Sequence, residues 1–259
     1  MDVFLQYGLL ASILCTGIFV QAAAGFAGGL FIIPILLWCD EGLPEAQASL
    51  LVATIPQNSL GLWSLRDTLE RKAILWPGIG RVGFLPLGML VLWLLESTVT
   101  STQLRQLVGG AVLLITMLVI LYRPEPREKL MPIWAILAFP ISGFCQGLVG
   151  MGGPAMVFWV QAHDWSTRRI RGFMFAMYLI SIGPSLLILY LFFGDRIIRP
   201  ALLAAATTPL LMVATALGLR CGTWLGRKRL RAVTLTLLLM VGIAGVFAPM
   251  INTLLMPAK

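Results

Sequence analysis

Gln21-Ala-Ala-Ala-Gly25-Phe-Ala-Gly28-Gly29 ends one apolar stretch, and Gln146-Gly-Leu-Val-Gly150-Met-Gly152-Gly153-Pro154 ends another. The glutamine, the first glycine and a later glycine (Gly28, Gly153) coincide at a single offset of 125 residues, the mark of an internal repeat. Glycines clustered in an apolar segment break a helix. Each cluster is followed by a second, shorter apolar run, residues 30–38 and 155–161. Each copy therefore reads as a helix, a break and a short helix.

What surrounds these breaks is a membrane sequence. Apolar residues make up 59% of the 259, charged residues only 12%, and the mean hydropathy is +0.92, whereas a soluble domain of this size carries about a quarter of its residues charged. A helical span needs roughly 20 mostly apolar residues, and residues 4–24, 46–65, 73–95, 104–122, 131–149, 172–193, 201–219 and 232–255 supply them. The connections between them are short and leave no room for a soluble catalytic domain. The net charge of +8 comes from loop lysines and arginines, the usual topology signal, so no nucleic-acid partner is expected. Cys15, Cys39, Cys145 and Cys221 lack metal-ligand spacing, and no metal or cofactor is expected. Asp2 stands where a signal peptide would be basic, so a cleavable leader is not expected either.

Loop charge decides how the two copies relate. If every apolar segment crossed fully, the loop cations would divide evenly between the faces. If each glycine break is instead the tip of a hairpin that enters and returns, loops 66–72, 123–129, 163–171 and 220–231 share one face and carry fourteen cations. Arg105, Arg196, Arg199 and Lys259 are then left on the other face, with the acidic loop 40–45. Positive-inside bias favours the second arrangement, with the rich face cytoplasmic. The expected fold is an all-α polytopic membrane protein of two inverted repeats, each a broken-helix hairpin plus three spanning helices. The first repeat covers 1–122, a cytoplasmic linker 123–130, and the second repeat 131–259. The expected place is a cell membrane, the bacterial inner membrane.

A break inside the bilayer frees N–H and C=O groups that lipid cannot satisfy, so it must be buried or line a polar cavity. The short helix beyond it offers bare N–H groups and a positive dipole end, and Pro154 suits a first helical turn. Two such ends brought together form an anion site. Close helix packing through small residues is the other reading. Recurrence with Gln21 and Gln146 one turn before each break favours the site, which takes in Gly25, Gly28, Gly29, Gly150, Gly152 and Gly153.

These residues also carry a family resemblance. The run Gly25-Phe-Ala-Gly28-Gly29-Leu30-Phe-Ile-Ile-Pro34, its echo 150–154 and the spacing Gly80-Arg81-Val-Gly83 through Pro86 and Gly88 resemble the TauE/SafE permeases, the sulfite and organosulfonate exporters. The stretch Leu217-Gly218-Leu-Arg220-Cys-Gly222 through Leu225 is similar to that family's second-half segment, so the likeness covers nearly the whole chain. It departs at Ala27, where the family has glycine, and at Gln47-Ala48-Ser49 and Arg171-Gly172-Phe173. The resemblance implies a proton-motive or gradient-driven permease for small sulfur-containing or carboxylate anions, working as an exporter.

Arg81 lies about eight residues into its span, where a charge faces a cavity or a partner or else snorkels to the interface. Thr54, Gln57 and Asn58 cluster after the first hairpin, with Tyr178 and Ser181 in a comparable place in the second half. They line the pathway or bond between helices. His163, the single histidine, adjoins Asp164, an arrangement open to proton coupling, but its place beside Arg168 and Arg169 favours a loop role. The partners expected are a small anionic substrate and the lipid bilayer, with a homo-oligomer left open. No HExxH, GxSxG or paired intramembrane carboxylate occurs, so an enzyme is not expected. A transmembrane scaffold without transport of its own is the alternative.

Overall fold

The structure, a computed structural model, describes residues 3–24, 27–121, 127 and 130–247. These form ten α-helices: α1 Val3–Ala24, α2 Gly28–Trp38, α3 Leu43–Leu65, α4 Arg71–Thr98, α5 Ser101–Leu121, α6 Pro132–Val149, α7 Gly153–Gln161, α8 Thr167–Phe193, α9 Ile198–Ala206 and α10 Thr208–Val246. Among the described residues, Ala73–Thr98, Ser101–Leu121, Pro132–Val149 and Arg168–Ala206 are long and apolar enough to cross a membrane. Side chains are distributed as lipid demands. Trp63, Trp76, Leu121 and Leu191 are at least 70% exposed, while Gln47, Asn58, Arg81, Ser142 and Ser185 are buried. Apolar groups outside and polar groups inside reverse the order of a soluble protein, and the chain is a multi-pass membrane protein.

Both glycine breaks are hairpin tips. α1 and α2 run antiparallel, with Gly17 against Ile32 and Gly28 against Gln21. α6 and α7 do the same: the Phe139 and Trp159 rings lie 4.9 Å apart, and the Gly152 amide donates to Gln146 Oε1 at 3.2 Å. In the second tip Gly150 closes α6 with φ 69°, and its amide donates to the Gln146 carbonyl at 3.0 Å, as in an αL cap. In the first tip Ala27 holds φ 86°. The one departure from glycine thus falls on a left-handed residue, where a Cβ costs about 1 kcal/mol.

The limbs return to different ends of the molecule. α2 ends beside Asp40, which pairs with Arg105. Nearby, Arg196 bonds Glu45 at 2.9 Å and Glu96 at 3.2 Å. α7 ends beside His163, where Arg127 exchanges backbone bonds with Ala162 and Asp164 and Arg168 and Arg169 pair with Asp67 and Glu70. α3, about 34 Å long at 1.5 Å per residue, joins the two ends. Exposed pairs of this kind contribute at most about 1 kcal/mol each; what they report is which loops are neighbours.

The sequence reading needs one correction here. Residues 220–231, expected as a basic loop between two spans, are helical within α10, which runs 39 residues without interruption. Its early part lies on α1, where Gly218 meets the Phe19 carbonyl, and its late part on α5, where Gly245 meets Gly109. The physical reason is local: 217–232 holds no proline, and its leucines and arginines are good helix formers. The expected span 201–219 is in turn split at Thr207, ahead of Pro209.

α4 and α6 pack closely along their length. Gly143 sits on the Arg81 carbonyl, Gly147 on Leu85 and Met89, and Gly88 on Phe144 and Leu148, backbone against backbone. Gly143 and Gly147 form the small-xxx-small spacing that lets membrane helices approach this closely.

Candidate functional site

The two tips meet. A Cβ built on Gly29 would stand 3.2 Å from the Gly150 carbonyl, and between the tips lies a cavity of about 50 Å³, room for roughly three or four water-sized groups. Its walls are the starts of α2 and α7 (Gly28, Gly29, Gly153, Pro154), the hairpin glutamines Gln21 and Gln146, Thr54 and Asn58 of α3, and Tyr178 and Ser181 of α8. Leu30, Leu50, Leu51, Met151 and Ile182 complete it with apolar surface. Neither short helix has a capping side chain on its N-cap residue, so the dipole ends of both face the cavity.

One side chain behind this wall stands Arg81, which is 0% exposed. Its Nε donates to Ser181 Oγ at 3.2 Å, one terminal nitrogen to Ser142 Oγ and the Gly152 carbonyl, and the other to Gln146 Oε1 at 3.2 Å. The guanidinium carbon lies 5.6 Å from the Tyr178 ring. Arg81 does not snorkel. All these partners are neutral, and none of the ion pairs among the described residues involves Arg81. An arginine stays charged in a protein interior, and a buried charge is normally paired. The positive charge is therefore held and oriented by neutral acceptors but not neutralised.

A second imbalance lies on the opposite wall. Asn58 is 0% exposed and lines the cavity, yet neither its Oδ1 nor its Nδ2 has a hydrogen-bond partner. An unpaired buried polar group costs about 1–3 kcal/mol. Asn58→Leu is thus expected to raise stability by about 1–2 kcal/mol, from that relief, while weakening ligand binding about tenfold, the worth of one hydrogen bond. Thermal unfolding and ligand titration of the purified protein read the two opposite signs.

Of the residues singled out in the sequence, Gln21, Gly28, Gly29, Asn58, Gln146, Gly150, Gly153 and Tyr178 come together at the cavity. Gly152 and Arg81 stand directly behind it. Gln57 is buried but turned away from the lining, with its Oε1 unpaired. Gly25 lies outside the described residues. Ser142 went unrecognised, although it is one helical turn before Gln146 and shares its face. Gln47 bonds the Gly147 and Leu148 carbonyls at 3.4 and 3.3 Å and so caps the broken end of α6 from the other half. His163 is remote from the cavity, its ring packed at a tilt against Trp159 and Trp165. Burial pushes its imidazole below the ordinary range; the bond to the Trp159 carbonyl opposes that shift and Arg169 adds to it. The four cysteines are free thiols.

Compared with known proteins, residues 9–245 match the family model described as Sulfite exporter TauE/SafE. Neither the curated proteins nor the solved structures gave a match.

Proposed function

The chain belongs to the Sulfite exporter TauE/SafE family, and from that premise we propose that it is a secondary permease which exports a small anion, sulfite or an organosulfonate, by alternating access. The observation that carries the reading is the uncompensated Arg81 charge beside a neutral cavity. A bound anion would supply the missing counter-charge, and the N–H groups of α2 and α7, the Gln21 and Gln146 amides and Asn58 would take up its oxygens. The small volume suits a compact anion. The apolar wall of Leu50, Leu51 and Ile182 would accept a short carbon chain.

The two halves, 1–122 and 131–259, act as inverted repeats in this reading, joined by the linker 123–130 in the bacterial inner membrane. The antiparallel limbs of both hairpins, their return to opposite ends of the molecule and the meeting of the basic loops 66–72 and 163–171 at one end support it. Discontinuous helices facing each other near the midplane are a common plan for secondary transporters.

Uptake of radiolabelled sulfite and sulfoacetate into proteoliposomes of the purified chain tests the function. Saturable flux above empty vesicles is expected; none for either anion would return the chain to a scaffold role. Gly28→Leu and Gly153→Leu are each expected to cut that flux at least about a hundredfold while leaving inserted protein. The new side chain fills the cavity, its first carbon already crowding Gln21 in one case and standing 2.6 Å from the Tyr178 hydroxyl in the other, and a misplacement near 1 Å alone costs about that factor. Wild-type flux in either variant would remove the tips from the pathway.

A further inference from the structure

We propose that transport by this chain is electrogenic and independent of protons: each turnover carries the anion's own charge across the membrane, and the membrane potential, negative inside, is what expels it. The proposal rests on the permease reading and asks what drives the same cavity.

A proton-coupled carrier needs a group inside the membrane that takes up a proton on one side and releases it on the other, usually a carboxylate or an imidazole. Here those groups sit at the two ends. Asp40, Glu41, Glu45, Glu96 and Asp195 lie in or beside the loops at one end, while Asp67, Glu70 and Asp164 lie at the other with His163, the chain's single histidine. Asp2, Glu125 and Glu128 fall outside the described residues. Among the described residues no carboxylate or imidazole lines the cavity, and the one ionisable side chain there is Tyr178, a phenol. Nothing at this centre is suited to exchanging a proton for an anion.

Arg81 is the charge buried behind the cavity, and it is anchored. Its backbone is packed against Gly143 of α6, and its guanidinium is held by Ser142, Gln146, Gly152 and Ser181 from α6, the second tip and α8. A charge locked to so many elements attracts the anion without crossing with it. An arginine that travelled with its anion would make the loaded step neutral and leave the return of the empty, positive carrier to feel the field. With the arginine fixed, the loaded step itself feels the potential. In both cases the turnover moves the anion's charge.

The test uses proteoliposomes of the full chain loaded for radiolabelled sulfite uptake, at equal pH on both faces, with potassium gradients and valinomycin setting the potential. An inside-positive potential of about 60 mV should raise steady-state accumulation at least about tenfold, the factor a single charge gives at that potential, and an inside-negative one should suppress it. With the potential clamped at zero, an imposed pH gradient should leave the initial rate unchanged once the anion's own protonation is allowed for. Flux that ignores the potential, or that rises with the proton gradient under the clamp, overturns the proposal while leaving the permease reading intact. No flux under any gradient overturns both.

Discussion

Arg81→Gln is expected to weaken anion binding roughly thirty- to hundredfold while leaving the thermal midpoint within a few degrees of wild type. An anion bonded to Gln146 and Ser181, both touched by the guanidinium, sits two hydrogen-bond lengths from the charge, about 6 Å. At an effective dielectric near 20 that separation corresponds to about 3 kcal/mol, and about 2 kcal/mol is already a thirtyfold change in affinity. Stability responds differently, because the arginine has no carboxylate to lose. Glutamine keeps a donor and an acceptor for Ser142 and Ser181, and removing an uncompensated buried charge offsets the loss of its other bonds. Equilibrium binding of radiolabelled sulfite and a melting curve of the same preparation decide the matter. Unchanged affinity would make Arg81 a structural tie between α4, α6 and α8. A collapse in stability with affinity retained would do the same.

Gly143→Val is expected to destabilise the fold by about 3 kcal/mol, at the upper end of overpacking costs, and to take transport with it. Its first carbon would be driven into the Arg81 carbonyl, and the atoms behind that carbonyl are backbone, which cannot turn aside. α4 must then move away from α6, and the guanidinium loses its register on Ser142 and Gln146. Gly110→Ala is the control. That glycine sits in a helix with nothing within 4 Å of its built Cβ, so alanine should stabilise by up to about 1 kcal/mol through helix propensity. Opposite signs for two glycines in apolar helices would separate close backbone approach from mere flexibility. If both substitutions were tolerated, α4 and α6 would not pack as described.

The glycine breaks, the apolar spans and the repeat were legible in the sequence because each is a local property. Glycine weakens a helix wherever it stands, hydropathy needs no partner, and the distribution of charged residues is visible before any folding. The same local logic misled at 220–231, where a dense run of basic residues read as a loop although nothing in it stops a helix. Arg81 illustrates what local reasoning leaves open. Its depth in the span allowed either burial or snorkelling, and the choice came from Ser142, Gln146, Gly152 and Ser181, side chains and a carbonyl 61 to 100 residues away in sequence.

The sequence by itself therefore determined that the chain spans a membrane, where its helices break, and that its acidic groups and single histidine fall at or beyond the ends of the apolar stretches. Only the tertiary structure decided that the breaks face each other, that Asn58 meets the cavity while the adjacent Gln57 turns away, and that Gly143 bears on the backbone of Arg81. The reason is rotational: successive positions on a helix point about 100° apart, and the direction that faces the cavity is set by how the neighbouring helices pack.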